Sequence, residues 1–359
     1  MTKPFNFLLA VALLVVARSA DGQLVRGTVR NADSTPVPGA IVVLQRANGA
    51  PVARGYAREN GFFELKAPGE GRYAIAVDRF GFEAAAGAPV DVTGLVTTIA
   101  LVPQSKRLSF DGAAAAPLDC RIGIDLDGRA RTLHEAVQQS LHALITVESG
   151  RQFIRQVTRF QRSLDVEGKK VLEERSVPET RVSERSFLVP GPDSIRKVGY
   201  IHGDSTYFTF ESPDARILVS ESFTATHCFA EAPAERTEGG RTLVGLRFEP
   251  VGTRTQTEIE GTFWVDRESG ALAELEWAYR PQPANRGRFG GVQRFALSPK
   301  GSVFYLDSWS QRLPIFSARR SLEKKAELTV LYSQLRFAQG VEMVVSTMRE
   351  DGGKVTKLP

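Results

Sequence analysis

The sequence predicts a mainly β protein: a seven-stranded β-sandwich, followed by an α+β domain dominated by an antiparallel meander with one amphipathic helix. Two observations predict this. Short runs of β-branched and aromatic residues, each ended by turn residues, fill residues 24–102. Longer alternating runs joined by hairpin turns come after a single stretch of helical periodicity. With 359 residues, the chain is long enough for two domains that each bury a core.

The first 22 residues have the composition of a secretory signal peptide. Lys3 precedes an apolar run from Phe5 to Val16, and small residues surround Gly22. About a dozen apolar residues are too few to span a bilayer, which takes about 20. We expect cleavage after Gly22 and no membrane span afterwards. We also expect no lipid attachment, since no cysteine stands directly after the apolar run to become a new N-terminal residue. The expected location is the periplasm, the outer-membrane surface or the medium.

The charge pattern argues against a nucleic-acid partner. Removal of residues 1–22 leaves 44 basic and 40 acidic residues, a net charge of +4. Nucleic-acid binding calls for Lys and Arg clustered on one face, whereas both signs are mixed along this chain. We therefore predict domains at 23–102 (sandwich), 103–119 (polar linker), 120–350 (β-rich domain) and 351–359 (tail).

The sandwich strands follow from short apolar or alternating runs separated by turns such as Glu59-Asn60-Gly61. The predicted strands are Leu24–Val29, Ala40–Leu44, Val52–Ala57, Phe62–Lys66, Arg72–Val77, Val90–Val92 and Val96–Val102. The predicted core residues are Val29, Ile41, Val43, Phe63, Leu65, Tyr73, Ile75 and Val77.

The stretch Thr35-Pro36-Val37-Pro38-Gly39 marks the entry into the second of these strands. Proline fixes φ and lacks an N–H donor, so it suits a strand entry or an edge and not the middle of a ladder. Gly39 allows the sharp turn that brings the β-branched run after it into the sheet. We interpret this stretch as structural.

Several motifs in this region resemble the carboxypeptidase regulatory-like domain. They are Gly27-x-Val29, Pro36-x-Pro38-Gly39-Ala40-x-Val42-x-Leu44, Asn60-Gly61-x-Phe63, Gly71-x-Tyr73 and Arg79-x-Gly81-Phe82. The chain has Arg58-Glu59 where members of that family usually have Thr-Asp. The resemblance implies an immunoglobulin- or prealbumin-like sandwich, related in shape to starch-binding modules. It also implies a non-catalytic module of envelope proteins, transporters and peptidases.

The second domain begins with the helix. Apolar residues recur at helical spacing over Thr132–Val147. Phe153–Leu164 is compatible with helix or strand, and its β-branched and aromatic residues favour a strand. The further predicted strands are Arg241–Glu249, Glu258–Asp266, Ala271–Tyr279, Gln293–Leu297, Ser302–Gln311, Ala326–Tyr332 and Glu342–Thr347.

The hairpin Gly261–Gly270 is similar to one in the periplasmic lipoprotein-carrier fold, in which a curved sheet wraps a hydrophobic groove. This resemblance implies a second possibility for function. The protein would carry a lipid or another hydrophobic ligand, with Thr132–Val147 as a lid.

The motifs of common active sites are missing from the sequence. None of His134, His142, His202 or His227 has a Glu three residues later, and no His-Glu-x-x-His occurs. There is no Gly-x-Ser-x-Gly elbow. The pairs Glu258/Glu260 and Glu274/Glu276 alternate on a predicted hairpin, so we expect them on a solvated face. We therefore predict no catalytic residues, no metal and no cofactor, with an enzyme whose site lacks a motif left as an alternative.

Cys120 and Cys228 are the only cysteines. An exported protein meets an oxidising compartment, so a disulfide between them is expected, with two buried thiols as the alternative. The bond would close a loop of just over 100 residues.

The predicted function is that of a non-catalytic exported envelope protein whose sandwich serves recognition or spacing. Its partner would be a carbohydrate or an envelope protein. The candidate ligand-binding residues are Tyr56, Phe80 and Phe82, aromatic residues near strand ends on which a sugar ring could stack. Packing in the core is the competing role for each of them.

Overall fold

The structure, a computed structural model, describes part of the chain. The described ranges are 23–83, 85–93, 96–102, 108–110, 121–122, 126, 128–149, 153–164, 170–182, 185–203, 208–252, 255–281, 289–297, 303–320, 328–349 and 355–357. The predicted signal peptide, Cys120 and most of the predicted linker lie outside these ranges.

The N-terminal part is a β-sandwich, as predicted. Its strands are β1 Gln23–Val29, β2 Ile41–Gln45, β3 Pro51–Tyr56, β4 Phe62–Ala67, β5 Gly71–Asp78, β6 Ala85–Ala86, β7 Val90–Val92 and β8 Val96–Leu101. One sheet has the order β4-β1-β8, and the other has the order β3-β2-β5-β6 with β7 also paired to β5. Only the two-residue strand β6 was not expected, since two alanines carry no strand pattern.

The Pro36–Gly39 stretch enters β2 as the sequence predicts. Val37 is buried, and its N–H donates to the Val29 carbonyl oxygen at 3.0 Å. Gly39 has φ +73°, a conformation that favours glycine. The stretch is therefore structural.

The C-terminal part is α+β. Its helices are α1 Gly128–Ser149, α2 Pro192–Val198, α3 Ala215–Leu218 and α4 Glu221–Thr226. Its strands are β9 Arg121–Ile122, β10 Phe153–Leu164, β11 Val171–Val182, β12 Ile201–Gly203, β13 Phe208–Phe210, β14 His227–Glu231, β15 Arg236–Glu238, β16 Arg241–Pro250, β17 Glu258–Asp266, β18 Leu272–Arg280, β19 Gly290–Leu297, β20 Phe304–Arg320, β21 Leu328–Arg349 and β22 Val355–Lys357.

These strands build one antiparallel sheet of twelve, in the order β11-β10-β21-β20-β19-β18-β17-β16-β14-β9. Strand β15 pairs with β16 and β22 with β21, while β12 and β13 form a separate hairpin. The meander from β16 to β21 confirms the predicted fold class, and β10 has the predicted bounds. The prediction of two separate late strands is wrong, because β21 runs through both segments and pairs with β20 and β10 along its length.

Helix α1 packs against the middle strands of this sheet. The shared core includes Leu133, Leu141, Phe248, Phe263 and Leu275, all buried. Full burial of such side chains stabilises by about 1.5–3 kcal/mol each. The helix is therefore part of the core.

The segment before α3 is held to the sheet by buried polar contacts. The Tyr279 hydroxyl donates to the Glu211 carbonyl oxygen at 3.0 Å, and Gln311 Nε2 donates to that hydroxyl at 2.5 Å. Ser212 Oγ donates to Gln311 Oε1 at 2.9 Å. Because buried polar groups are costly when unpaired, these bonds fix the position of the segment.

Candidate binding cleft between the sandwich and helix α1

Strand β2 is buried on both faces, and this reveals how the two parts of the chain meet. Val42 and Leu44 point into the sandwich core. Ile41 and Val43 point the other way and belong to the core built around α1. The prediction that Ile41 and Val43 lie in the sandwich core is therefore wrong. A continuous apolar run has no polar residue to show which face is inside.

A second contact joins the sandwich to the C-terminal part through the loop 79–82. The ring centroids of Phe80 and Phe304 are 5.1 Å apart. The Gly81 carbonyl oxygen accepts from the Leu108 N–H at 2.6 Å, and the Phe82 carbonyl oxygen accepts from Gln139 Nε2 at 2.6 Å. The loop therefore docks the sandwich onto α1 and its surroundings.

Between these two contacts lies a cleft of about 530 Å³. The sandwich contributes two carboxylates to it, and α1 contributes five polar side chains. The lining residues are Asp78, Glu83, His134, Glu135, Gln138, Gln139 and His142. Such a volume falls within the range of pockets that hold small molecules.

Three polar atoms of this lining are buried without a hydrogen-bond partner among the described residues. They are Asp78 Oδ1, His134 Nε2 and Gln139 Oε1. A buried polar group without a partner costs about 1–3 kcal/mol, so native structures rarely leave one unsatisfied. The residues of these three atoms all line the cleft, whose walls are therefore rich in carboxylate, amide and imidazole groups.

Burial shifts the ionisation of the groups around the cleft. It raises the pKa of Asp78, and the nearby Arg54 guanidinium partly offsets this. It also lowers the pKa of His134, and together with the charge of Arg54 it lowers the pKa of His142 to about 4. Glu135 has its pKa raised by burial, with Arg131 opposing and Glu83 reinforcing the change. Both imidazoles are thus neutral at pH 7, and each can donate from one nitrogen and accept at the other.

The three aromatic residues predicted to bind ligand lie in different surroundings. Tyr56 is 9% exposed and packs with Val147 and Val303. Phe80 is partly buried against Phe304. Phe82 is half-buried and is not one of the lining residues, but its carbonyl oxygen is bonded to Gln139, which is. The Arg79 guanidinium lies 5.1 Å from the centroid of the Phe82 ring.

Of the predicted disulfide, the structure describes one end. Cys228 is on β14, where it pairs in register with Ile122 of β9. Ile122 follows Cys120 by two residues in the sequence. The bond itself stays a prediction because Cys120 lies outside the described residues.

The expectation that both glutamate pairs face solvent is wrong for one member of each. Glu258 is 6% exposed and Glu274 is 4% exposed. The Glu274 carboxylate forms ion pairs with Arg236 at 2.8 Å and with Arg294 at 2.9 Å. Arg236 is on β15 and Arg294 is on β19, so the two arginines reach Glu274 from opposite sides of β18. Glu274 can be buried because the order of strands in the sheet brings these charged partners to it.

Within the described ranges, no three His, Cys, Asp or Glu side chains are grouped so as to hold a metal ion. None of the described helices is long and apolar enough to cross a membrane. The sequence pattern suggests only a metal-ligand role to test for His134 and His142, and it gives no reason to select Asp78 or Gln139. The signal that could have been used is the polar stripe on α1 opposite its buried face.

The family comparison agrees with the motifs. Residues 24–102 match the model of the carboxypeptidase regulatory-like domain. The predicted resemblance of this part is therefore confirmed. No curated protein matches the chain.

Comparisons with solved structures give low scores. A type II cohesin–X-dockerin complex from Acetivibrio cellulolyticus, an N-terminal interface mutant, is matched at 20% identity and a TM-score of 0.17. The match covers 22% of this chain and 52% of that chain, so the chain spans about half the length of this relative. A DUF1329 family protein from Desulfovibrio piger ATCC 29098 is matched at 9% identity and a TM-score of 0.27, covering 61% of this chain and 95% of that one.

Proposed function

We propose that this chain is a non-catalytic, exported recognition protein of a bacterial cell envelope, with its carboxypeptidase regulatory-like sandwich as the premise. The sandwich and α1 together bind a carbohydrate in the cleft between them. The two parts of the chain act as one receptor, because each contributes side chains to the same cleft.

The observation that carries this proposal is the polar lining of the cleft, to which the sandwich gives two carboxylates and α1 gives amide, imidazole and carboxylate groups. Asp78 Oδ1 and Gln139 Oε1 are acceptors, while His134 Nε2 accepts or donates according to its tautomer. A sugar presents neighbouring hydroxyls, each of which donates once and accepts twice. It therefore offers both the donors and the acceptors that a lining of carboxylates, amides and imidazoles can pair with.

Phe82 adds an apolar surface next to these polar groups. Its side chain is half-buried, and its carbonyl oxygen is bonded to Gln139 of the cleft. Sugar rings have an apolar face that can lie on an aromatic side chain, while their hydroxyls reach polar groups to the side. The proposal thus keeps Phe82, out of the three aromatic residues selected from the sequence, as the stacking residue.

The lining contains three carboxylates, Asp78, Glu83 and Glu135, the groups that glycoside hydrolysis uses, so the release of reducing ends tests the non-catalytic part of the proposal. The seven lining residues include no hydroxyl or thiol nucleophile. The neutral imidazoles of His134 and His142 have no carboxylate hydrogen-bonded to them among the described residues to orient them as a base.

The test is isothermal titration of the full mature chain with a panel of mono- and disaccharides, comparing the parent protein with Asp78→Asn. This substitution keeps the shape but removes the charged acceptor, and we expect binding to weaken by at least about tenfold, as for a lost charge-assisted hydrogen bond. The matched control is Asp91→Asn, an exposed carboxylate on β7 of the same sandwich.

Equal affinities for the two variants, or no binding of any saccharide by the parent, would overturn the proposal. Release of new reducing ends from a bound disaccharide would overturn its non-catalytic part. Circular dichroism of each variant separates a lost contact from a lost fold.

A further inference from the structure

A second cleft, of about 510 Å³, lies further along α1. His142 lines both clefts, and the lining residues of α1 run from His134 to Ser149 on one side of the helix. At 1.5 Å per residue this stretch is about 22 Å long. The two clefts therefore follow one another along the same side of α1, and we call them the first and second halves of the groove, with His142 at their junction.

The second half differs in character from the first. Its walls are largely aliphatic, from Val52 and Ala53 on β3, Ile145 on α1 and Val219 after α3. All four side chains are half-buried, so they are partly open to the groove. Arg216 also lines it, but its guanidinium is bound to Glu148 Oε2 at 2.9 Å and to Ser149 Oγ at 3.2 Å.

We propose that the groove binds an amphiphile, a glycolipid whose sugar occupies the first half and whose hydrocarbon chain lies along the second. This inference rests on the proposed function, because the sugar occupies the same polar cleft. It adds the chemical class of the ligand. A hydrocarbon chain would remove the aliphatic side chains of the second half from water, which is favourable. The sugar hydroxyls would form hydrogen bonds in the polar first half.

Arg54 fits the junction of such a ligand. It is half-buried on β3 and lines the second half, and its charge acts on Asp78 and His142 of the first half. No hydrogen bond to its guanidinium is formed by the described residues. It is therefore available to the glycosidic oxygen or a neighbouring hydroxyl where the sugar meets the chain.

The test uses methyl, hexyl and octyl glucosides and maltosides, below their micelle concentrations, titrated against the full mature chain. Burial of one CH₂ is worth about 0.8 kcal/mol, so each added CH₂ tightens Kd by up to about fourfold. We expect Kd to stop improving once the hydrocarbon chain of the ligand fills the roughly 10 Å from His142 to Ser149.

Two variants, Ile145→Gln and Val52→Gln, place a polar side chain in the aliphatic half from α1 and from β3. Each should remove the dependence on chain length while leaving the affinity for the methyl glycosides within about twofold. Leu188→Gln, at a side chain 83% exposed, is the matched control. Two variants on different elements guard against one of them failing to fold.

The outcomes separate this inference from the proposed function. Binding of methyl glycosides with no gain from longer chains overturns the amphiphile and leaves carbohydrate recognition standing. Alkyl glycosides that bind Asp78→Asn as tightly as they bind the parent protein overturn the sugar in the first half. Absence of binding by every probe overturns both.

Discussion

The loop 79–82 touches the β17–β18 turn through two glycines, and replacing one of them tests how the sandwich is docked. A Cβ at residue 270 would lie 2.5 Å from the Gly81 Cα and 2.7 Å from the Gly81 nitrogen. Real Cβ atoms essentially never come closer than 3.0 Å to such atoms. Gly270→Ala therefore pushes the two backbones apart.

The expected cost has two parts. Gly270 has φ +69°, and a Cβ in the left-handed region costs about 1–2 kcal/mol. Inserting a methyl group into a closely packed contact costs about another 1–3 kcal/mol. Together the free energy of unfolding should fall by about 2–5 kcal/mol.

The matched control is Gly252→Ala. Gly252 has φ +75°, but a Cβ there would meet nothing within 4 Å. Gly252→Ala should therefore lower the free energy of unfolding only by the conformational cost of about 1–2 kcal/mol. The difference between the two variants isolates the contact between the loop and the turn.

Urea unfolding followed by tryptophan fluorescence measures both costs. Hydrogen exchange of the native state adds a local readout, because undocking should lower protection in the loop 79–82 and at Leu108, whose N–H is bonded to Gly81. If Gly270→Ala and Gly252→Ala cost the same, the two backbones are not in contact, and the docking described above is wrong.

Two further predictions concern the cysteines and pH. If Cys120 and Cys228 are joined, the intact protein is two hydrogens lighter than its reduced form. Cys228→Ser should then lower the free energy of unfolding by about 4–5 kcal/mol on the chain-entropy model, and an unchanged mass on reduction contradicts the bond. His142 has a pKa of about 4 in the fold against 6.5 unfolded, so stability should be lost as pH falls between these values. In urea unfolding measured across this pH range, His142→Gln should reduce the loss of stability. If the stability of the variant depends on pH as that of the parent does, the low pKa of His142 is refuted. The raised pKa of Asp78 has the opposite effect on stability, but it is present in both proteins.

The sequence by itself determined the fold class and most of the strands. Local patterns were sufficient where turn residues bracket a strand, as around Asn60-Gly61, or where polar and apolar residues alternate, as in Glu258–Asp266. A series of motifs that ends with Arg79-x-Gly81-Phe82 indicated the resemblance of the sandwich to the carboxypeptidase regulatory-like domain, and the family model agrees. These features depend only on neighbours along the chain.

Only the tertiary structure decided which face of β2 turns inward and where the cleft lies. Ile41 and Val42 are both β-branched and apolar, so nothing local shows that one packs on α1 and the other in the sandwich. Asp78 and His134 are 56 positions apart and belong to different elements, and their common cleft exists because the outer face of one sheet docks on a helix. Long-range packing of this kind sets burial, and burial in turn shifts the pKa values of the groups that line the cleft.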